Sequence, residues 1–134
     1  MKSHGLLAEA VQSVFRAVTL NKLLYASPAW WGFAQVSDID RVESFLRRSK
    51  KFGYYKQNGS SFVDLCGRAD RVLFTQVLRD ENHVLHPLLP PKAAGSHTYN
   101  LRRRRHDRLV PSTSTRSDSC NFLSRMLHNN RCEP

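Results

Sequence analysis

Apolar residues recur along the first quarter of the chain at Leu7, Ala10, Val11, Val14, Phe15, Val18 and Leu24. This three-and-four spacing draws one hydrophobic stripe down a helix. Pro28 is expected to stop that helix, because its ring removes an amide donor and biases the preceding residue away from helical angles. Trp30, Trp31 and Phe33 then sit on a connector as a large apolar load.

A second helix is predicted from Ser37 to Lys56, with Ser37 as N-cap and Ile39, Val42, Phe45, Leu46 and Phe52 on one side. The same turn per residue places Arg47, Arg48 and Lys51 on the opposite side, an exposed cationic face. Gly53 and the pair Asn58-Gly59 mark its end and the turn beyond. A third helix is predicted from Ser61 to Arg79, with Asp64 as capping partner and a stripe of Phe62, Leu65, Cys66, Ala69, Leu73, Gln76 and Val77. The segment His83 to Pro91, rich in proline and leucine, should lie extended against the helices. Lys92 to Ser117 lacks periodicity and reads as loop, and a last short helix is predicted near 121–128, where Phe122, Leu123, Met126 and Leu127 share a face. The expected fold is all-α: a small three-helix bundle over residues 1–91, then a basic and largely irregular tail over residues 92–134.

Charge sharpens the division. Residues 1–91 hold 12 Lys and Arg against 8 Asp and Glu, and residues 92–134 hold 9 against 3, so the net charge is +4 on the body and +6 on a tail half as long. Clustered cations gain affinity for a phosphate backbone by releasing its condensed counterions, which points to nucleic acid or another acidic surface. The run Arg102, Arg103, Arg104, Arg105, His106, with Tyr99 nearby as a stacking ring, has the composition of a phosphate-contacting arm. A solvated or nuclear-targeting stretch has the same composition. Arg47, Arg48, Lys50, Lys51 and Lys56 form a second cluster, although cations in the last turns of a helix are also favoured by its dipole.

Other chemistry finds little support. Cys66, Cys120 and Cys132 are an odd number with no secretory signal before them, so a reducing intracellular compartment, nuclear or cytoplasmic, is expected. Cys120, His128 and Cys132 lack the paired spacing of common zinc sites. Cys66 reads as a packing residue rather than an activated thiol. No run approaches the roughly twenty apolar residues of a membrane span. Cofactors, a metal and a small-molecule substrate are therefore not expected.

Two blocks carry a resemblance. Tyr25-Ala26-Ser27-Pro28-Ala29-Trp30-Trp31-Gly32-Phe33 resembles a block just downstream of the polymerase core in jockey-like non-LTR retrotransposon reverse transcriptases. Asp118-Ser119-Cys120-Asn121-Phe122-Leu123-Ser124-Arg125-Met126-Leu127 is similar to the closing segment of the same polyproteins. The blocks occur in the matching order, the elements between them agree, and the Cys/His knuckle that ends some other non-LTR elements is not seen.

The resemblance implies a thumb and C-terminal tail that hold RNA template or RNA–DNA duplex by backbone contacts, beside the palm of a parent RNA-directed DNA polymerase. The adjacent Asp pair of such a palm is missing. The nearest acids, Asp38 and Asp40, have an ordinary role in offsetting a helix dipole. This chain alone is therefore not expected to be an enzyme. The alternative expectation is a helical protein-interaction domain docking through Trp30, Trp31 and Phe33, or a retroelement remnant without a retained role.

Overall fold

The computed structural model describes residues 7–92 and 106–129, and these are helical with no strand among them. Two compact units divide the chain, one ending at Ala69 and the other beginning at Asp70. The division falls inside a helix, not at the boundary between residues 91 and 92 that charge and composition suggest.

The first unit opens with α1 (Ala8–Val14), a π-helical stretch (Phe15–Leu20) and α2 (Asn21–Leu24). The π-stretch corrects the expected stripe. Its wider i→i+5 turn shifts the inward face, so Leu20 is buried while Val18 stays 50% exposed; ahead of it, in α1, Val11 is buried and Val14 is 45% exposed. The helix ends at Tyr25, where Ala26 turns the chain with φ 48°. Pro28 therefore does not end this helix. It stands in the first turn of α3 (Ser27–Trp30), where a missing amide hydrogen costs nothing. A 3-10 turn (Trp31–Phe33) then leads to α4.

Helix α4 (Val36–Lys51) starts behind Gln35 rather than Ser37 and stops five residues before Lys56. Its end is closed by a Schellman arrangement. The Gly53 amide donates to the Lys50 carbonyl and the Tyr54 amide to the Ser49 carbonyl, both at 2.9 Å, with Gly53 at φ 74°. A left-handed residue at this position favours glycine, so Gly53→Ala should lower stability by about 1 kcal/mol. Urea denaturation checks this, and an unchanged midpoint would contradict it.

Helix α5 (Phe62–Arg79) begins after Ser61, whose hydroxyl donates to the Asp64 carboxylate at 2.6 Å and accepts from the Asp64 amide at 3.1 Å. A distant group completes this cap. Glu43 of α4 accepts from the Phe62 amide at 2.6 Å and the Val63 amide at 3.3 Å, setting a carboxylate on the positive end of the helix. The shared core of this unit comprises Leu20, Leu46, Tyr55, Phe62 and Cys66, with Phe15, Trp31, Ile39 and Val42 packed against it. Phe45 stacks on Phe15 with ring centroids 6.1 Å apart. Phe52, expected on the apolar side, lies beyond the helix end and is exposed.

The second unit takes the rest of α5. Phe74 and Val77 join Leu89, Phe122, Met126 and Leu127 in a separate core. Gln76, placed on the stripe by sequence, is exposed. The segment after α5 is not extended. It folds into turns and a 3-10 turn (His86–Leu88) that bring Leu85 and Leu89 to this core.

Within the tail, α6 (Arg116–Cys120) was not expected from periodicity. Thr115 and Asp118 form a reciprocal capping box at its start. Hydrogen bonding from the Thr115 hydroxyl, then its amide, then Ser114 holds the Asp118 carboxyl below the ordinary aspartate range. Helix α7 (Phe122–Asn129) follows with Phe122, Met126 and Leu127 buried, as the spacing predicts. His106, last residue of the arginine run, is also buried. Its Nδ1 accepts from the Arg108 amide at 3.2 Å, which leaves Nε2–H to donate to the Leu127 carbonyl at 3.0 Å. Phe122, Met126 and Leu127 of the tail thus belong to a hydrophobic core, with the His106 ring edge-on to Phe74 beside it.

Candidate nucleic-acid interface

Three of the sequence-predicted cations stand free at one end of α4. Arg47, Arg48 and Lys51 are exposed, and their side chains make no ion pair or hydrogen bond among the described residues. Their position in the last turns of a 16-residue helix is favoured by the partial negative charge of its carbonyl end. Their spacing places three exposed charges within the last two turns of one helix.

Lys50 departs from this group. Its ammonium donates to the Gly59 carbonyl at 2.7 Å and lies 5.5 Å from the centroid of the Tyr55 ring, so it staples the loop beyond α4 instead of facing a ligand. Lys56 is exposed and lines a cleft of the first unit together with Arg16 and Arg68. Sequence reasoning missed those two arginines. They lie on different helices, 52 positions apart, and no local pattern links them. Tyr99, Arg102, Arg103, Arg104 and Arg105 lie outside the described residues, as does Cys132.

The aromatic block divides. Trp31 packs against the first unit's core. Trp30 is 39% exposed, yet its ring stacks on Phe62 with centroids 6.1 Å apart and its indole N–H donates to the Tyr25 carbonyl at 3.0 Å. Phe33 is 49% exposed. Trp31 is therefore partly buried, and Trp30 offers only part of its ring.

The closing block has a structural role at most of its positions. Asn121 Oδ1 accepts the Leu123 amide at 3.0 Å and caps α7. Phe122, Met126 and Leu127 fill the core. Arg125 pairs with Asp70 at 2.9 Å and also donates from Nη1 to the Cys120 carbonyl at 2.8 Å. Cys66 is fully buried in the first unit, matching its reading as a packing residue.

Among the described residues, no group of three His, Cys, Asp or Glu is placed to hold a metal ion, and no helix is long and apolar enough to cross a membrane. Comparison of the chain with protein-family models, with curated proteins and with solved structures gave no match.

Proposed function

We propose that this chain is a nucleic-acid-contacting module that grips RNA or RNA–DNA duplex through backbone phosphates, corresponding to the region after the palm of a jockey-like reverse transcriptase and carrying no catalytic centre of its own. The observation that supports it best is the cationic end of α4, where Arg47, Arg48 and Lys51 are exposed and make no ion pair among the described residues, while neighbouring Lys50 is consumed internally. Phosphate contacts of this kind position a protein on a duplex without reading its sequence. The arginine run Arg102 to Arg105 adds charge of the same sign.

Fluorescence anisotropy of labelled RNA and RNA–DNA hybrid at several salt concentrations tests this reading. Affinity should fall steeply with salt, and Arg47→Ala, Arg48→Ala and Lys51→Ala combined should flatten the log–log slope by roughly 2–3, about one unit per lost phosphate contact. Binding that is absent, or indifferent to salt, would remove the proposal. A second reading, a protein-docking domain, draws on the exposed faces of Trp30 and Phe33. It predicts that Phe33→Ala weakens partner capture and leaves nucleic-acid binding unchanged.

A further inference from the structure

The first unit contains a cleft of about 560 Å³, within the range of small-molecule sites. Its charged lining is mostly cationic, among neutral polar residues that include Gln12, Asn21 and Asn58. Arg16, Lys56 and Arg68 all contribute, against one carboxylate, Glu9. None of the three cations makes an ion pair or a side-chain hydrogen bond among the described residues, so their donors are available. The opposite character comes from Leu20, Leu24 and Leu65, which supply an apolar wall.

The cleft is also braced. Tyr55 lines it and donates its hydroxyl to the Ser60 carbonyl at 3.0 Å, and Lys50 holds the adjoining loop through Gly59. A β-carbon at Gly59 would collide with the Tyr55 ring, so the loop closes on that ring with no room to spare. Burial raises the Tyr55 hydroxyl above the ordinary tyrosine range, while the Arg16 and then the Arg68 guanidinium lower it and the Glu43 carboxylate raises it.

Two forked guanidiniums and one ammonium suit a phosphate, since guanidinium pairs bidentately with it. A bare anion would leave the leucine wall unused. We propose that this cleft binds a nucleoside phosphate, its phosphate held by Arg16, Arg68 and Lys56 and its base laid against Leu20, Leu24 and Leu65. This goes beyond the expectation that the chain takes no small molecule. It is also independent of the α4 row, because Arg16 and Arg68 lie outside it.

The nucleotide comes either free or as the phosphorylated end of a strand. Calorimetric titration of the full chain with adenosine monophosphate, inorganic phosphate, and an oligonucleotide with and without a 5′-phosphate separates these. The mononucleotide should bind at least tenfold more tightly than inorganic phosphate, and Arg16→Gln or Arg68→Gln should weaken it about tenfold, with Arg79→Gln, an exposed position outside the cleft, leaving it unchanged. Competition by the phosphorylated oligonucleotide alone supports the strand end as source, and its failure to compete supports the free nucleotide. Amide chemical shifts of the unaltered protein supply a readout free of variants, with Gly59 and Ser60 expected to move on titration. Equal affinity for phosphate and nucleotide, no binding, or shifts confined to residues away from the cleft would overturn the proposal.

Discussion

Arg125→Ala should destabilise the chain by about 3–5 kcal/mol, the cost of breaking a buried ion pair by removing one of its members. The Asp70 side chain is 4% exposed and that of Arg125 13%. The guanidinium spans a separation of 55 positions to reach the Asp70 carboxylate at 2.9 Å and secures the end of α6 through the Cys120 carbonyl. Stabilities of small domains lie at about 5–15 kcal/mol, so the loss would consume much of what holds the second unit together. Urea denaturation followed by circular dichroism measures it. The paired replacement Asp70→Leu with Arg125→Met should recover most of the loss, because removing both charges also removes the desolvation penalty that each carries. A loss below about 1 kcal/mol for Arg125→Ala would show that the pair is solvated in practice. Additive losses in the double variant would show that the two side chains do not depend on one another.

This pair also gives a physical reason for the pattern Cys-Asn-Phe-Leu-Ser-Arg-Met-Leu at positions 120–127. A motif read from sequence as a lineage mark supplies, at five of its eight positions, a cap, a core triad and an ion-pair anchor.

The helices α4, α5 and α7 were legible because their apolar residues keep a 3.6-residue period that packing leaves intact: Ile39, Val42 and Leu46, then Phe62, Leu65 and Cys66, then Phe122 and Met126. The first helix was legible as a helix and misleading as a stripe. Periodicity assumes a constant turn, and the π-stretch breaks that assumption between Phe15 and Leu20, exchanging Val18 for Leu20 at the core. Helix α6 has only five residues, too few for periodicity, although Thr115-x-x-Asp118 carries the local capping signature.

Charge behaves similarly. Helical projection locates Arg47, Arg48 and Lys51 on a solvent face, and the structure agrees. Projection cannot anticipate the diversion of Lys50 to Gly59, since that depends on a loop folding back over the helix end. The cleft cations Arg16, Lys56 and Arg68 come together only through tertiary packing.

Phe62→Ala is expected to cost about 3–5 kcal/mol, the range for deleting a fully enclosed aromatic ring. Phe62 is 1% exposed, opens α5, and meets the Trp30 ring with the planes 25° apart. Truncation would leave a cavity and free Trp30, so tryptophan emission should shift to longer wavelength along with the fall in stability. Phe62→Leu retains much of the volume and should cost less than about 1.5 kcal/mol. Phe52→Ala, at an exposed site, should stay within about 0.5 kcal/mol of the parent. The emission readout bears directly on the two functional readings. A red shift on Phe62→Ala places the inner face of Trp30 in the protein's own packing, leaving Phe33 and only part of Trp30 for any protein partner. Unchanged emission would mean that Trp30 is free of Phe62 in solution, and would strengthen the docking reading at the expense of the phosphate-gripping one.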